Sequence, residues 1–312
     1  MTGPSRRALL RAGLLAVPLV AACAPGAADA PLVLAAGEAG GFYVEFGELL
    51  AEELRRRGVP VAVAGTGGSV DNIRRVRDGR AALGLALSDI AVSARRGDAP
   101  FGVPVPLHAV GRVYENYMQL VVRAEDLATA VGHLAGRQVS LGAVGSGAAV
   151  FGDRLLAVAG VTAQVTRRPL RDAVAALETG RADALLWSGG VPTPALADLA
   201  ARRPVRLLPL VEHLPELRAR YGGVYGPVTV PAGAYGAAAP VPTVGVPNLL
   251  ICTPDLPLET AGAVARTLVA AAPALVPESA AGTQYLDRRA IIGTGDVPLH
   301  AGAMVAYRDL HG

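Results

Sequence analysis

Short apolar runs alternate with amphipathic segments after Pro31, and this alternation constrains the fold more than any other feature of the sequence. Leu32–Ala36, Val61–Ala64 and Leu83–Leu87 have the length and composition of buried strands, and a segment with helical spacing follows each of them. Strands that alternate with helices form right-handed βαβ units around a parallel sheet. This part of the chain is therefore predicted to be a parallel α/β unit.

A second unit with the same pattern follows further along the chain. Val139–Leu141, Ala163–Thr166 and Ala184–Trp187 are predicted strands, and Ala148–Ala159 and Arg171–Thr179 are the helices between them. The sequence thus contains two βαβαβ units of similar size.

The segments between and after these units are predicted to connect them. Ala109–Val113 and Met118–Val122 are expected to be two antiparallel strands with a turn at Glu115–Asn116, while Val244–Cys252 is expected to return to the first unit before a helix at Leu258–Ala272. We therefore predict an α/β fold of two doubly wound sheets joined by crossing hinge strands. The expected boundaries are residues 31–118 and 244–312 for lobe 1, and residues 119–243 for lobe 2.

The N-terminal segment has the pattern of an export signal. Ser5–Arg11 is basic and resembles a twin-arginine motif, and the apolar run Leu14–Ala22 is shorter than the ~20 residues that a membrane-spanning helix needs. The run ends at Val-Ala-Ala-Cys, which resembles a bacterial lipobox. We predict a signal peptide at residues 1–22, lipidation of Cys23 and a small-residue tether at 23–30; the alternative is a cleaved signal with an incidental cysteine.

The basic charge balance comes from this segment. Residues 1–22 include three arginines and no acid, so their removal lowers the 29 basic residues to 26, which equals the number of acidic residues. The mature chain would then be formally neutral, and the basic isoelectric point is no argument for a nucleic-acid partner. We expect an extracytoplasmic protein attached to the cell membrane by its lipid.

Loops rich in glycine and hydroxyl groups follow most of the predicted strands. They occupy residues 37–43, 65–72, 88–89, 142–148 and 188–192, and most of them precede a helix. In open α/β sheets, ligands bind beyond the carboxyl ends of the strands, and free N–H groups at helix N-termini attract anions. Any one serine in these loops can be explained as an N-cap. Because all the loops share one edge, together they predict a ligand cleft.

Enzyme and metal motifs are missing from the sequence. No G-x-S-x-G is present, a Walker A motif is impossible without lysine, and the five histidines have no ligand spacing. His300 is interpreted as a capping or packing residue, and Cys252 as a small core residue. A lipoprotein serine hydrolase using Ser69 or Ser146 stays open as an alternative, although no base is recognisable. We predict no enzyme activity, no cofactor and no metal site.

Six short segments carry a family resemblance: Gly40–Tyr43, Thr66–Asn72, Leu87–Asp89, Arg137–Gly147, Gly180–Ala184 and Pro298–Ala303. In these segments the chain resembles the TAXI family of solute receptors from tripartite ATP-independent periplasmic (TRAP) transporters. The resemblance implies a two-lobed type II periplasmic-binding-protein fold, acting as a monomer. It also implies delivery of a small organic acid or an amino acid, such as glutamate, to a TRAP-type membrane permease. A receptor of the same fold for an ATP-driven importer or a sensor system is the main alternative.

The same resemblance implies which residues contact the solute. Carried over by position, they are Gly41, Phe42, Tyr43, Thr66, Ser69, Asn72, Ser88, Asp89, Ser146 and Gly147, with Tyr114, Trp187, Ser188 and Gly189 as further candidates. Leu87 stands where the family usually has glutamine, and Ala148 where it usually has threonine. These departures put the usual ligands in question. Asp89 would favour a ligand amine if it faces the cleft, or would cap a helix if it does not.

Overall fold

Residues 30–280 and 286–311 are described by the computed structural model, and those from Pro31 onward belong to one compact unit. The predicted signal peptide and Cys23 lie outside the described residues. Within them, no helix combines the length and hydropathy that a membrane span requires. In this part of the chain, ten strands form one sheet. Its order is β2 (Val61–Ala64), β1 (Leu32–Ala35), β3 (Leu83–Leu87), β10 (Val241–Cys252), β4 (His108–Arg123), β7 (Ala184–Gly189), β5 (Gln138–Ser140) and β6 (Gln164–Thr166), with β8 (Val205–Leu208) paired to β4 and β9 (Gly226–Val230) to β10.

One end of the sheet is a parallel βαβ unit, which we call the first lobe. Its strands pair in parallel in the order β2-β1-β3, as the alternating pattern predicts. Its elements are β1 (Leu32–Ala35), α1 (Phe42–Arg56), β2 (Val61–Ala64), α2 (Ser69–Arg77), β3 (Leu83–Leu87) and α3 (Ser88–Arg96). The three predicted strands of this unit are confirmed to within one residue, and a helix follows each of them as predicted.

The other end is a second parallel unit, which we call the second lobe, with the strand order β7-β5-β6. Its elements are β5 (Gln138–Ser140), α4 (Gly147–Ala159), β6 (Gln164–Thr166), α5 (Leu170–Glu178) and β7 (Ala184–Gly189). The chain then continues through elements that the sequence pattern did not predict: α6 (Pro194–Arg202), β8 (Val205–Leu208), α7 (Leu214–Tyr221) and β9 (Gly226–Val230).

Two long antiparallel strands, β4 (His108–Arg123) and β10 (Val241–Cys252), join the lobes. The predicted turn at Glu115–Asn116 is wrong, because β4 is one continuous strand that pairs first with β10 and then with β7. The polar residues that suggested a turn have another role: the Asn116 side chain is buried and bonded to neighbouring strands. After β10, α8 (Leu258–Ala270) and α9 (Ala301–His311) pack against each other.

The hydrophobic core lies on both faces of the first lobe and continues into the second. On one face, Leu50 of α1 and Leu268 of α8 are fully buried in the same cluster. On the other face, Ile73 and Ile90 belong to a cluster that extends to Phe151 of α4. Full burial of one such side chain stabilises the fold by ~1.5–3 kcal/mol. The lobes therefore share buried apolar contacts on the α3–α4 side.

Candidate functional site

A narrow cavity lies between the two lobes, at the carboxyl ends of the strands. Its empty space, counted out to its mouth and including solvent there, is about 390 Å³, and the part that the centre of a water-sized sphere can reach is about 40 Å³. Phe42, Leu87, Ala148 and Trp187 supply its apolar surface. The full lining is Gly37, Glu38, Gly41, Phe42, Tyr43, Gly67, Gly68, Ser69, Leu87, Asn116, Ser146, Gly147, Ala148, Trp187 and Ser188.

Three helices begin at this cavity, since Phe42 of α1, Ser69 of α2 and Gly147 of α4 all line it. Ser146 caps α4 through its Oγ, which accepts a hydrogen bond from Ala149 N at 3.0 Å. Within the described residues, the amides of Gly147 and Ala148 have no acceptor. Uncompensated N–H groups and the aligned peptide dipoles give a helix N-terminus a partial positive charge. The cavity can therefore hold an anionic group without a basic side chain.

The lobes touch each other at the first turns of α2 and α4. Gly145 O accepts hydrogen bonds from Val70 N at 3.0 Å and from Asp71 N at 3.3 Å, across the cleft. Gly68 has a φ of 111°, and a β-carbon there would lie 3.3 Å from Ser146 Cα. Glycine is required at such a position by both its backbone angle and the space available. The structure is thus a closed form of the cleft.

A chain of hydrogen-bonded side chains forms the floor of the cavity and links β10, β4 and β7. The Tyr43 hydroxyl donates to Asn248 Oδ1 and lies 3.2 Å from Ser69 Oγ. Asn248 Nδ2 donates to Asn116 Oδ1 at 2.6 Å, and Asn116 Nδ2 donates to Ser188 Oγ at 2.9 Å. Burial raises the pKa of Tyr43 well above its usual range, so this hydroxyl remains protonated.

Glu38 is the one charged side chain in the lining of the cavity. It belongs to the loop after β1, and its Oε2 accepts a hydrogen bond of 2.6 Å from Leu170 N, the first amide of α5 in the other lobe. Burial has the largest effect on the pKa of Glu38 and raises it. The hydrogen bond from Leu170 N acts in the opposite direction, and the nearby Asp172 carboxylate raises the pKa further. The loop of the first lobe thus caps a helix of the second lobe at the edge of the cavity.

Asp89 does not line the cavity but forms a buried ion pair between the lobes. Its Oδ2 lies 2.8 Å from Arg154 Nη1 and accepts a hydrogen bond of 2.9 Å from the Tyr225 hydroxyl. Arg154 also donates to Ser93 Oγ at 2.7 Å. Burial raises the pKa of Asp89, and the Arg154 charge acts in the opposite direction. Asp89 is therefore assigned to the contact between α3 and α4. Its Oδ1 also accepts a hydrogen bond of 2.9 Å from Ile90 N in the first turn of α3, which is the kind of contact that the helix-capping interpretation expected.

The cavity brings together eight of the fourteen candidate residues, namely Gly41, Phe42, Tyr43, Ser69, Ser146, Gly147, Trp187 and Ser188. The remaining six, Thr66, Asn72, Ser88, Asp89, Tyr114 and Gly189, lie outside its lining.

Most of these six residues have structural partners. Thr66 Oγ1 donates to Asn72 Oδ1 at 2.6 Å, and Asn72 Nδ2 donates to two strand carbonyls of the first lobe. Tyr114 packs edge-on against Phe42, with ring centroids 4.8 Å apart. A β-carbon on Gly189 would collide with the Trp187 indole nitrogen, so this glycine accommodates that ring. The Ser88 hydroxyl is buried without a hydrogen-bond partner in the described structure.

Sequence reasoning missed several residues that line the cavity or support it. Glu38 and Asn116 are the main ones, and Asn248 supports Asn116 from β10. Glu38 stands in a glycine-rich loop that was recognised, so its position after β1 was an available signal. Asn116 gave no usable signal, because its polar character was interpreted as a turn.

Among the described residues, Ser69 and Ser146 lack the contacts that the nucleophile of a hydrolase would need. Ser69 Oγ accepts a hydrogen bond from Leu87 N at 3.1 Å, and Ser146 Oγ is occupied by its own helix. Neither contacts a histidine in the described residues. His300 Nδ1 accepts from Gly302 N at 3.2 Å at the start of α9, which is a capping role. No group of three or more His, Cys, Asp or Glu in residues 30–280 and 286–311 could hold a metal ion.

Two lobes of parallel strands, joined by antiparallel crossing strands around a central cavity, define the two-lobed type II fold of periplasmic solute-binding proteins. The chain belongs to the NMT1-like family, whose model matches residues 34–310. The narrower resemblance to TAXI receptors remains a prediction.

Solved structures with this fold have low sequence identity to the chain. The periplasmic binding protein BugD is 16% identical, with a TM-score of 0.58, over 89% of this chain and 94% of that one. MatC from Rhodopseudomonas palustris, solved with bound malate, is 14% identical, with a TM-score of 0.55, over 80% and 86%. A shorter match, over 57% of this chain and 56% of the other, is to the aliphatic sulphonate binding protein SsuA from Escherichia coli, at 18% identity and a TM-score of 0.39. At these identities the similarity is one of fold.

Proposed function

We propose that this chain is an extracytoplasmic receptor that binds a small organic acid or amino acid in the cavity between its lobes. The observation that supports this most directly is the convergence of three helix N-termini, those of α1, α2 and α4, on one cavity. Amides at such termini bind carboxylates and similar anions. The apolar walls at Phe42 and Trp187 would take the rest of the solute. Malate bound to MatC illustrates a small acid held by a protein of this fold.

Closure of the lobes would couple binding to transport. The hydrogen bonds from Val70 N and Asp71 N to Gly145 O join the two lobes beside the cavity, so a solute held there would be enclosed. Hinge closure of this kind creates a surface that exists only in the liganded form. A membrane permease can therefore distinguish loaded receptors from empty ones.

The partner is proposed to be a TRAP-type permease, and the anchor a lipid on Cys23. The TAXI-like segments Gly40–Tyr43 and Thr66–Asn72 support the first proposal, and the lipobox supports the second. Solute uptake into proteoliposomes that contain a TRAP-type permease, with this receptor added, should follow an ion gradient. Uptake that requires ATP would favour the importer alternative. Metabolic labelling with a radioactive fatty acid should be lost in Cys23→Ser.

A thermal-shift screen tests the receptor itself. Acids, amino acids and sugars are compared, because a ligand at ~100 times its dissociation constant stabilises the fold by ~2.7 kcal/mol. Ala148→Leu should weaken the best ligand at least tenfold, since Ala148 lines the cavity and the larger side chain would fill it. Ala157→Leu, on the exposed side of the same helix, is the matched control and should bind normally.

The result that contradicts the proposal is equally specific. If the best ligand binds Ala148→Leu as tightly as it binds the unaltered chain, the cavity is not its site. Labelling of Ser69 or Ser146 by a serine-reactive phosphonate would instead support the hydrolase alternative.

A further inference from the structure

The charge pattern of the cavity is unusual for a site that receives acids. Of its lining residues, Glu38 alone carries a formal charge, and that charge is negative. The lining contains no arginine or histidine, and the chain has no lysine. A dicarboxylate would bring its second carboxylate into a lining whose one formal charge is negative. A solute whose second group is positive would instead be attracted to that charge.

Glu38 has a free acceptor at the cavity. Its Oε2 is occupied by Leu170 N, whereas Oε1 accepts no hydrogen bond from any residue that the structure describes. The side chain is partly buried and cannot be fully hydrated. A half-buried carboxylate gains most from a donor that also carries positive charge.

A second carboxylate strengthens the same preference. Asp172, in the first turn of α5, is close enough to Glu38 to oppose its ionisation. Glu38 and Asp172 therefore repel each other when both are ionised. A positively charged group placed there relieves the repulsion, whereas a further anion increases it.

Another part of the lining has the opposite character. The unpaired amides of Gly147 and Ala148 lie at the start of α4 and favour negative charge. The lining thus combines amides suited to an anion with one carboxylate suited to a cation, together with apolar surface from Leu87 and Trp187.

We propose that Glu38 is the specificity-determining residue of the cleft, and that it selects a solute carrying a protonated amine besides its acid group and rejects dicarboxylates. This inference rests on the proposed receptor function and narrows its solute class. Leu87 and Ala148 fit the same preference, because neither side chain offers a hydrogen bond to a second acid group.

Three matched series of solutes test the proposal by calorimetric titration of the full chain. They are zwitterionic amino acids of two to six carbons, the monocarboxylates of equal length and the dicarboxylates of equal length. The amino acids should include the tightest ligand, and the dicarboxylate of the same length should bind at least tenfold more weakly. This comparison requires no variant, so it stands even if a substitution impairs folding.

Glu38→Gln then isolates the charge. The Gln carbonyl oxygen can still accept the bond from Leu170 N, so the contact between the lobes is kept while the negative charge is removed. The best amino acid should bind at least tenfold more weakly, and dicarboxylate binding should improve. Glu48→Gln, on the exposed face of α1 with its side chain 58% exposed, is the control and should leave all three series unchanged.

The outcomes separate this proposal from the one on which it rests. A dicarboxylate that binds the unaltered chain as tightly as any amino acid overturns the role of Glu38, as does a Glu38→Gln affinity within twofold of the original. Either result leaves the receptor function standing if Ala148→Leu abolishes the binding. If none of the three series binds, both proposals are overturned.

Discussion

The buried ion pair between Asp89 and Arg154 provides the sharpest test of the structure. Replacing Arg154 by Met preserves much of its apolar stem but leaves the Asp89 carboxylate, whose side chain is fully buried, without its cation. Loss of one partner of a buried pair costs about 3–5 kcal/mol in the free energy of unfolding. For a chain of this size, that corresponds to a fall in Tm of roughly 6–15 °C.

Urea denaturation followed by circular dichroism measures this loss, and an exposed pair supplies the control. Arg96 and Asp296 are 2.8 Å apart, with side chains 57% and 69% exposed. Because solvent screens such a pair, Arg96→Met should cost less than about 1 kcal/mol. The reasoning is refuted if Arg154→Met is no more destabilising than Arg96→Met.

The pH dependence of the Arg154→Met variant gives a second readout. Burial raises the pKa of Asp89 in the folded state, and removing Arg154 removes the charge that opposes this rise. In the unfolded chain the Asp89 carboxyl titrates at ~4. The stability of the variant is therefore fully present below that pH and is lost as the pH rises through the folded-state pKa of Asp89. The free energy of unfolding that Arg154→Met loses relative to the unaltered chain should therefore become smaller on acidification. Adding Asp89→Asn should recover part of that loss at neutral pH.

Three further outcomes follow from other parts of the structure. Gly147→Ala should weaken ligand binding at least tenfold in titration while changing Tm little, since its β-carbon would lie 2.4 Å from a Leu87 methyl group only when the lobes are closed. Hydrogen bonds from Arg137 lower the pKa of Asp126 to about 2. Up to about 2 kcal/mol of the free energy of unfolding should therefore be lost as the pH falls from ~4 through ~2. Asp126→Asn should remove this pH dependence of stability. Burial raises the pKa of Cys252 to about 12, so a maleimide should label it only after unfolding.

Each of these expectations has a result that would contradict it. Gly132→Ala, which has open space around the added carbon, is the control for Gly147→Ala, and equal ligand affinity in the two variants would mean that the lobes need not approach so closely. An unchanged acid titration in Asp126→Asn would remove the pairing with Arg137 as its cause. Labelling of Cys252 in the native chain would mean that its part of β10 opens readily.

Much of the fold was predictable because each βαβ unit is built from local patterns. The strand Leu83–Leu87 is confirmed to the residue, since a continuous apolar run indicates a strand buried on both faces. The failures fall on β4 and on the segment after β7. In β4 a polar pair in the middle of a long crossing strand imitates a turn, and its continuity depends on pairing with β10 and β7, which are distant in sequence.

The candidate site was predictable at the level of loops and less so at the level of side chains. Gly41, Ser69, Ser146 and Gly147 line the cavity because helix starts at one sheet edge must lie together. Whether a side chain within such a loop faces the cavity depends on partners that local sequence does not reveal. The predicted solute contacts and lobe boundaries stay predictions until ligand binding is measured.

The sequence by itself determined the two α/β units and the glycine-rich loops at their strand ends, because propensity, periodicity and turn chemistry act between near neighbours. The export signal that the same sequence indicates remains a prediction. The tertiary structure decided the charge of the cavity. It paired Asp89 with Arg154, 65 residues away, and so removed that carboxylate from the cleft. It also brought Glu38 to α5, 132 residues away, and so left a different carboxylate at the cavity wall. Such pairings depend on where folding places distant groups, and no local pattern encodes them.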